Sequence, residues 1–181
     1  QRVKNTDVHA FDLALNNLEK REAKKEEKLD DKDDGGKPPA IAVLPFKNLS
    51  NDEEQEYFAD GITEDIIANL SLWKTFPVIS RNSSFSFKNS TEKSDVISKA
   101  LGARYLVEGS VRKAGNKVRI TAQLTSADDD KQIWSKRWDR SLEDIFEVQD
   151  EVSRDVAALI SPALKDQEQV KLSTKGKKNF G

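Results

Sequence analysis

Residues 105–124, which read YLVEGSVRKAGNKVRITAQL, alternate between apolar and polar side chains on both sides of a short KAGN segment. A period of two is that of a strand with one buried face, and a glycine-containing turn between two such runs predicts an antiparallel hairpin. The sequence therefore requires a sheet that buries one face and keeps the other polar. The polar series comprises Glu108, Ser110, Arg112, Arg119, Thr121 and Gln123.

Two short apolar runs precede the hairpin, at residues 41–46 and 76–80, and each predicts a buried strand. Between them, apolar positions keep to one side of a helix over residues 51–73, and the Ser50–Glu53 segment matches a capping box. A strand–helix–strand order predicts that the two strands are parallel. A second short helix is predicted over residues 94–101.

After the hairpin, QIWSKRW at 132–138 predicts a third antiparallel strand. A capping box formed by Ser141 and Asp144 then begins a long closing helix, which is predicted to end by Pro162. The predicted order is βαβαβββα. This order predicts an α/β fold of the mixed α+β kind, with a mixed five-stranded sheet covered by helices.

The first 39 residues are predicted to be a charged stalk. Apolar residues at helical spacing indicate a short amphipathic helix within residues 7–29, which would either pair with a copy of itself or remain solvated. Like charges four residues apart, as at Lys20 and Lys24, destabilise such a helix, and DDGGKPP then forms a flexible joint.

The remaining chain is predicted to contain one domain over residues 40–164, followed by a polar linker over residues 165–181. The chain begins at Gln1 and contains no methionine, so we expect it to be a piece of a longer protein. The length and the hydrophobic content of 36% suit one ordinary domain with polar extensions.

Composition argues against several kinds of chemistry. The chain has no cysteine, and its single histidine, His9, lies far upstream of the first predicted strand. Histidine-based acid–base catalysis, a cysteine nucleophile and the usual zinc sites are therefore not expected, and we expect no metal and no cofactor. Asp128–Asp130 lacks the ligand spacing of a calcium loop and is expected to be a solvated turn. A net charge of −2 provides no overall field for nucleic acid.

A candidate ligand site lies where the two parallel strands end, because their carboxyl ends open on the same edge of the sheet. Arg81 would supply a forked cation there, and small polar side chains would supply further donors and acceptors for a polar or anionic group. The alternative is that Arg81 pairs with a nearby carboxylate and the others are turn residues. The candidates are Asn48, Ser50, Arg81, Asn82, Ser83 and Ser84.

A candidate partner surface lies on the polar side of the sheet, although a solvated face is the ordinary alternative. Trp134 and Trp138 flank Lys136 on one strand face, and they would be interface anchors if exposed or packing residues if buried. The candidates are Glu108, Arg112, Arg119, Gln123, Trp134 and Trp138.

Several motifs in this order resemble those of the TolB amino-terminal-like domain: YFADGITEDI (57–66), RNSSF (81–85), the hairpin segment 108–124, and W-x-x-x-W-D-R (134–140). The resemblance covers about residues 40–164. It is similar to the version found in bacterial proteins that carry a class III adenylate cyclase or winged-helix regulator domain before it and tetratricopeptide repeats after it. SADDDKQ departs from the glycine-containing turn common in the family.

The resemblance implies a non-catalytic sensory or protein-interaction module of a bacterial signalling protein. Its implied partner is a protein, either its own downstream repeats or another chain, with no nucleic acid bound by this fragment. The membrane would be involved only through an upstream helix, which implies a periplasmic domain, with a cytoplasmic one as the alternative. A small polar or anionic ligand sensor at Arg81 is the second hypothesis, and an enzyme or nucleotide-binding domain is the third.

Overall fold

The computed structural model describes residues 38–178. The predicted stalk helix and the joint before Pro38 lie outside these residues. A mixed five-stranded sheet has the order β1-β3-β4-β5, and β2 pairs with β3 beyond the end of β1. Both β1 and β2 are parallel to β3, whereas β3, β4 and β5 are antiparallel. The strands are β1 (Ile41–Val43), β2 (Lys47–Asn48), β3 (Tyr105–Ala114), β4 (Lys117–Ser126) and β5 (Lys131–Ser141).

Four helices accompany the sheet within the described residues. The two longest pack on one sheet face and run in the same direction, because Gln149 contacts Asp65 and Ser153 contacts Asn69 one turn further along. The helices are α1 (Glu54–Leu72), α2 (Arg81–Phe85), α3 (Ser94–Leu101) and α4 (Ile145–Lys178).

The core lies mainly between the sheet and the α1–α4 pair. Alternate residues of the hairpin, such as Val107 on β3 and Ile120 on β4, point into it, as the period of two predicts. A smaller cluster covers the opposite face near β1, where α3 contributes Ile97 beside Leu44 and Leu106. The predicted mixed five-stranded sheet with helices is confirmed.

The predicted strand at 76–80 is reduced to one parallel bridge between Ile41 and Val78. Two backbone hydrogen bonds make this contact: the Ile41 amide donates to the Pro77 carbonyl, and the Ile79 amide donates to the Ile41 carbonyl. Pro77 has no amide to donate, and Ser80 is already the N-cap of α2, so pairing goes no further. The fifth strand is instead β2, which the sequence analysis missed.

The predicted capping boxes are also corrected. The Ser50 hydroxyl accepts a hydrogen bond from the Lys113 amide at 2.7 Å and so ties β2 to β3 rather than capping α1. Near the start of α1, Asp52 Oδ1 accepts from the Glu54 amide. Asp144 Oδ1 accepts from two amides at the start of α4, while Ser141 belongs to β5.

The closing helix passes Pro162 and continues to Lys178, contrary to its predicted end. Polar contacts hold the extension against the end of the sheet: the Tyr105 hydroxyl donates to Glu168 at 2.6 Å, and Arg104 lies 3.2 Å from the same carboxylate. Lys171 lies 3.6 Å from Asp128. Such tertiary contacts outweigh the cost of an interior proline. A local sequence pattern does not include them.

Candidate functional site

The first part of the predicted ligand edge, Asn48 and Ser50, supports the β2 turn. The Asn48 amide donates to the Asp52 carbonyl at 2.9 Å, and its Oδ1 accepts from the Ser50 amide at 2.9 Å. The Ser50 hydroxyl is used by β3, as described above. Both side chains therefore have structural partners already.

The second part, Arg81–Ser84, forms α2 instead of an open loop. The Arg81 guanidinium pairs with Glu64 on α1 and lies 4.2 Å from the centre of the Phe85 ring. Asn82 and Ser83 are exposed, and the Ser83 amide donates to the Ser80 hydroxyl. Ser84 is fully buried, and its hydroxyl has no hydrogen-bond partner within the described part of the chain. The structure thus gives Arg81 the carboxylate partner that the alternative interpretation expected.

A hollow of about 340 Å³ lies at the carboxyl end of β1, and we call it the β1 hollow. It forms where the chain leaves β1 at Val43 and rejoins β3 at Lys47, because the Phe46 amide turns away and donates to Thr63 on α1 at 3.0 Å. Of the six predicted ligand residues, Asn48 alone lines it. Its lining is residues 44–49, Glu56, residues 87–90, Glu92, Ile97, Glu108 and Gly109.

Charged groups surround the β1 hollow. Lys88 lies 2.6 Å from Asp60 and 3.5 Å from Glu56, and its hydrogen bond with Asp60 raises the pKa of the ammonium group. The Glu108 carboxylate accepts from Ser94 at 3.4 Å and from Gln123 at 3.3 Å. Glu92 is exposed, and its carboxylate forms no ion pair within residues 38–176.

The polar side of the hairpin remains largely uncovered beyond the reach of α3, and β5 extends it. Arg119 pairs with Asp139 at 2.8 Å, and Arg137 lies 3.6 Å from the same carboxylate. The hydrogen bond from Arg119 lowers the pKa of Asp139. We call this surface the open polar face: Glu108, Ser110, Arg112, Arg119, Thr121, Gln123, Ser135, Arg137 and Asp139.

The structure brings four of the predicted partner-surface residues together on this face. Register places Glu108 opposite Gln123, and Arg112 opposite Arg119. Arg112 is exposed, and its guanidinium forms no ion pair with any described residue. A second hollow, of about 360 Å³, lies at this end of the hairpin and is lined in part by Arg112, Arg119 and Asp139.

The two tryptophans lie on the other side of the sheet. Trp138 is 1% exposed and belongs to the core, where its indole Nε1–H donates to Asp155 on α4 at 2.9 Å. Trp134 is partly buried, with its ring centroid 6.4 Å from that of Trp138. The expectation of a surface role for Trp138 is corrected, because its position in the period-two pattern points it toward α4.

The β1 hollow was not predicted from the sequence. Its one available signal was the pair Glu56 and Asp60, four residues apart on one helix face, with Lys88 shortly after RNSSF. Within the described residues, no group of histidine, cysteine, aspartate and glutamate side chains is arranged to hold a metal. None of the helices found between residues 38 and 178 is long and apolar enough to cross a membrane.

These features define a small mixed-sheet domain with a helical layer on one face and exposed polar strands on the other. The family model of the TolB amino-terminal domain matches residues 32–133, and the chain belongs to that family. The resemblance of the motifs to the TolB amino-terminal domain is thereby confirmed.

One curated relative is "Putative adenylate cyclase 3" of Rhizobium meliloti (strain 1021), which is 50% identical over 139 residues. The match covers 77% of this chain but 24% of that relative, so the chain spans about a quarter of its length. A solved structure of TolB from Acinetobacter baumannii has a TM-score of 0.52 at 19% identity, covering 71% of this chain and 28% of that one. The LpoB C-terminal domain from Salmonella enterica has a TM-score of 0.45 at 19% identity, covering 60% and 87% respectively.

Proposed function

We propose that this domain is a non-catalytic protein-interaction module of a bacterial signalling protein, and that the open polar face is its partner surface. One observation carries the proposal: the sheet buries one face beneath α1 and α4 and presents a row of polar side chains on the other. Side chains on a rigid sheet are held in register, so a partner can pair with them at little cost in conformational entropy.

The chemistry of the open polar face favours a partner with acidic groups. Arg112 and Arg119 lie opposite each other, and the ion pair with Asp139 neutralises part of the charge of Arg119. A carboxylate placed near Arg112 would form a forked hydrogen bond and relieve the repulsion between the two guanidinium groups. Exposed charges of this kind contribute to partner choice and association rate more than to affinity.

The relative named as a putative adenylate cyclase supports a wider proposal about context. In this wider proposal, a class III cyclase or winged-helix domain precedes the module in the full-length protein, tetratricopeptide repeats follow it, and any catalysis belongs to the upstream domain. A membrane helix ahead of the stalk would place the module in the periplasm, and without one it would be cytoplasmic.

Isothermal titration of the 181-residue chain against the other domains of its full-length protein, and against candidate envelope proteins, tests the interaction. We expect binding by at least one of these. Thr121→Glu on the open polar face should repel an acidic partner and weaken binding about tenfold, which corresponds to about 1.4 kcal/mol. Ala68→Glu, on the exposed side of α1, is the matched control and should leave binding unchanged. Failure to bind any of them, or equal loss in both variants, would count against the proposal.

A small-ligand sensor at the Arg81 edge is the second candidate. The observation that favours it is the fully buried Ser84 hydroxyl, which lacks a partner in the described residues and lies three positions from Arg81. A polar or anionic ligand would raise the melting temperature of the wild type but not that of Arg81→Ala. Glu64→Gln removes the same ion pair while keeping the guanidinium, so it should still respond. A metabolite screen without any shift would remove this candidate.

A further inference from the structure

We propose that the β1 hollow binds an arginine side chain with an apolar neighbour, presented by a segment of a partner protein. The inference rests on the proposed function in one respect, which is that the arginine belongs to a protein. It adds a second binding site, at the carboxyl end of β1, which would accept a positively charged group. The end of the hairpin that carries Arg112 and Arg119 would instead accept a negatively charged one.

The hollow has a rigid apolar floor. Leu44 and Ile97 are almost completely buried, and Phe87 packs against the same small cluster. Gly109 is required beside it, because a Cβ there would lie 2.4 Å from the Phe46 ring. A floor built from core residues offers apolar contact without having to be ordered on binding. The three-carbon stem of an arginine and a neighbouring apolar side chain suit such a floor.

The charge of the rim selects a cation. Three carboxylates line the hollow, from Glu56, Glu92 and Glu108, against the ammonium groups of Lys47 and Lys88. Lys88 is already paired with Asp60 and Glu56, and Lys47 is exposed. Glu92 and Glu108 therefore remain to receive a positively charged ligand.

Glu108 is the better positioned of these two carboxylates. One of its oxygens accepts from Ser94 and the other from Gln123, so the group is held from two sides. A carboxylate oxygen has two lone pairs, so each oxygen can accept one further hydrogen bond. A guanidinium supplies two parallel N–H donors at the spacing of a carboxylate, whereas a lysine ammonium does not.

The size of the hollow fits this occupant. A volume of about 340 Å³ lies at the lower end of the range for small-ligand sites, which is roughly 300–1,000 Å³. A polar or anionic ligand, which was expected for the Arg81 edge, would meet unpaired carboxylates here. The β1 hollow and the Arg81 edge are thus distinguishable by the sign of the charge that each accepts.

The test is a titration of the ¹⁵N-labelled chain, followed by amide chemical shifts, with acetyl-leucyl-arginine amide as the probe. The matched probe is acetyl-leucyl-citrulline amide, which has nearly the same shape but no charge. We expect the arginine peptide to shift the amides of Glu92, Glu108 and Gly109, and the citrulline peptide to bind about tenfold more weakly. Equal binding of the two peptides, shifts confined to other regions, or no shifts at all would overturn the proposal.

Variants locate the site. Glu92→Gln and Glu108→Gln, singly and together, should weaken binding of the arginine peptide, whereas Glu143→Gln, which changes an exposed carboxylate ahead of α4, should not. If Glu108→Gln lowers the melting temperature, the affinity of Glu92→Gln for the arginine peptide is the deciding result, because Glu92 forms no ion pair in the described structure. Unchanged affinity in Glu92→Gln and Glu108→Gln would overturn the proposal. The proposed function is judged separately, because its variant, Thr121→Glu, does not line the hollow.

Discussion

On β4, Ile120 is completely buried against the helical layer, whereas the next residue, Thr121, lies on the open polar face. The same contrast recurs along β5, where Trp138 is in the core and Arg137 is exposed. The two faces thus use the same backbone and the same hydrogen-bonded ladder. They differ in what covers them: two long helices on one side, and α3 with its flanking loop over part of the other.

This difference separates stability from recognition. Burial of apolar side chains beneath α1 and α4 supplies the main driving force for folding, so changes there should be costly. The open polar face contributes little to the core, so its residues can be chosen for a partner. We therefore expect neighbouring residues on one strand to differ strongly in how much their mutation lowers the free energy of unfolding.

The largest effect is expected for Trp138→Ala. Loss of a buried indole and of its hydrogen bond to Asp155 should lower the free energy of unfolding by about 3–5 kcal/mol. Arg137→Ala, the adjacent residue on the opposite face, should change it by less than about 0.5 kcal/mol. Urea unfolding measures both. A similar cost for the two variants would break the comparison of faces.

Gly109→Ala should have the next largest effect. The added Cβ would lie 2.4 Å from the Phe46 ring and 2.5 Å from the Thr121 carbonyl oxygen, so the ring or the strand must move. We expect a loss of about 1–3 kcal/mol in urea unfolding. Gly176→Ala, where nothing lies within 4 Å on a helix, should instead be neutral or stabilising. A harmless Gly109→Ala would show that Phe46 does not pack as closely as described.

A smaller, pH-dependent effect is expected at Asp155. Hydrogen bonds from Trp138 and Lys136 lower the pKa of this carboxyl group below its ordinary value of 3.8. Its contribution to stability is therefore fully present above about pH 4 and is lost as the pH falls through the lower pKa of the folded state. Asp155→Asn should reduce the difference in urea midpoint between neutral pH and pH values below 4.

Asp150→Asn is the control for that experiment, because the Asp150 carboxylate forms no ion pair with the described residues. Its pH profile should follow that of the wild type. If Asp155→Asn also followed the wild-type profile, the ionised Asp155 carboxylate that links β5 to α4 would not be a source of stability above about pH 4.

The smallest effect is expected on the open polar face. Arg119 and Asp139 are both about half exposed, at 52% and 50% of their side chains. Exposed ion pairs typically contribute only about 0–1 kcal/mol, so Arg119→Ala should change the free energy of unfolding by about 0.5 kcal/mol or less. A double-mutant cycle with Asp139→Ala measures the coupling. A coupling as large as the cost of Trp138→Ala would contradict the separation of the two faces.

The sequence predicted the sheet better than it predicted the sites. Alternation over 105–124 and the KAGN turn determine the hairpin and its polar face, since both signals are local. The two-residue strand β2 is too short to show a periodic pattern, and it depends on pairing with β3. Pro162 suggested a helix end, but α4 continues past it and is held there by the contact of Glu168 with Tyr105, which is distant in sequence. The β1 hollow combines residues from four separate segments, so no spacing along the chain predicts it.

Photo-crosslinking from the full-length protein in living bacteria tests the central claim most directly. A photoreactive residue would replace Thr121 on the open polar face or, in a matched strain, Ala68 on the exposed side of α1. The account predicts a discrete protein adduct from position 121 that Arg112→Glu abolishes, and no such adduct from position 68. An adduct of equal yield from both positions, or from position 68 alone, would contradict it.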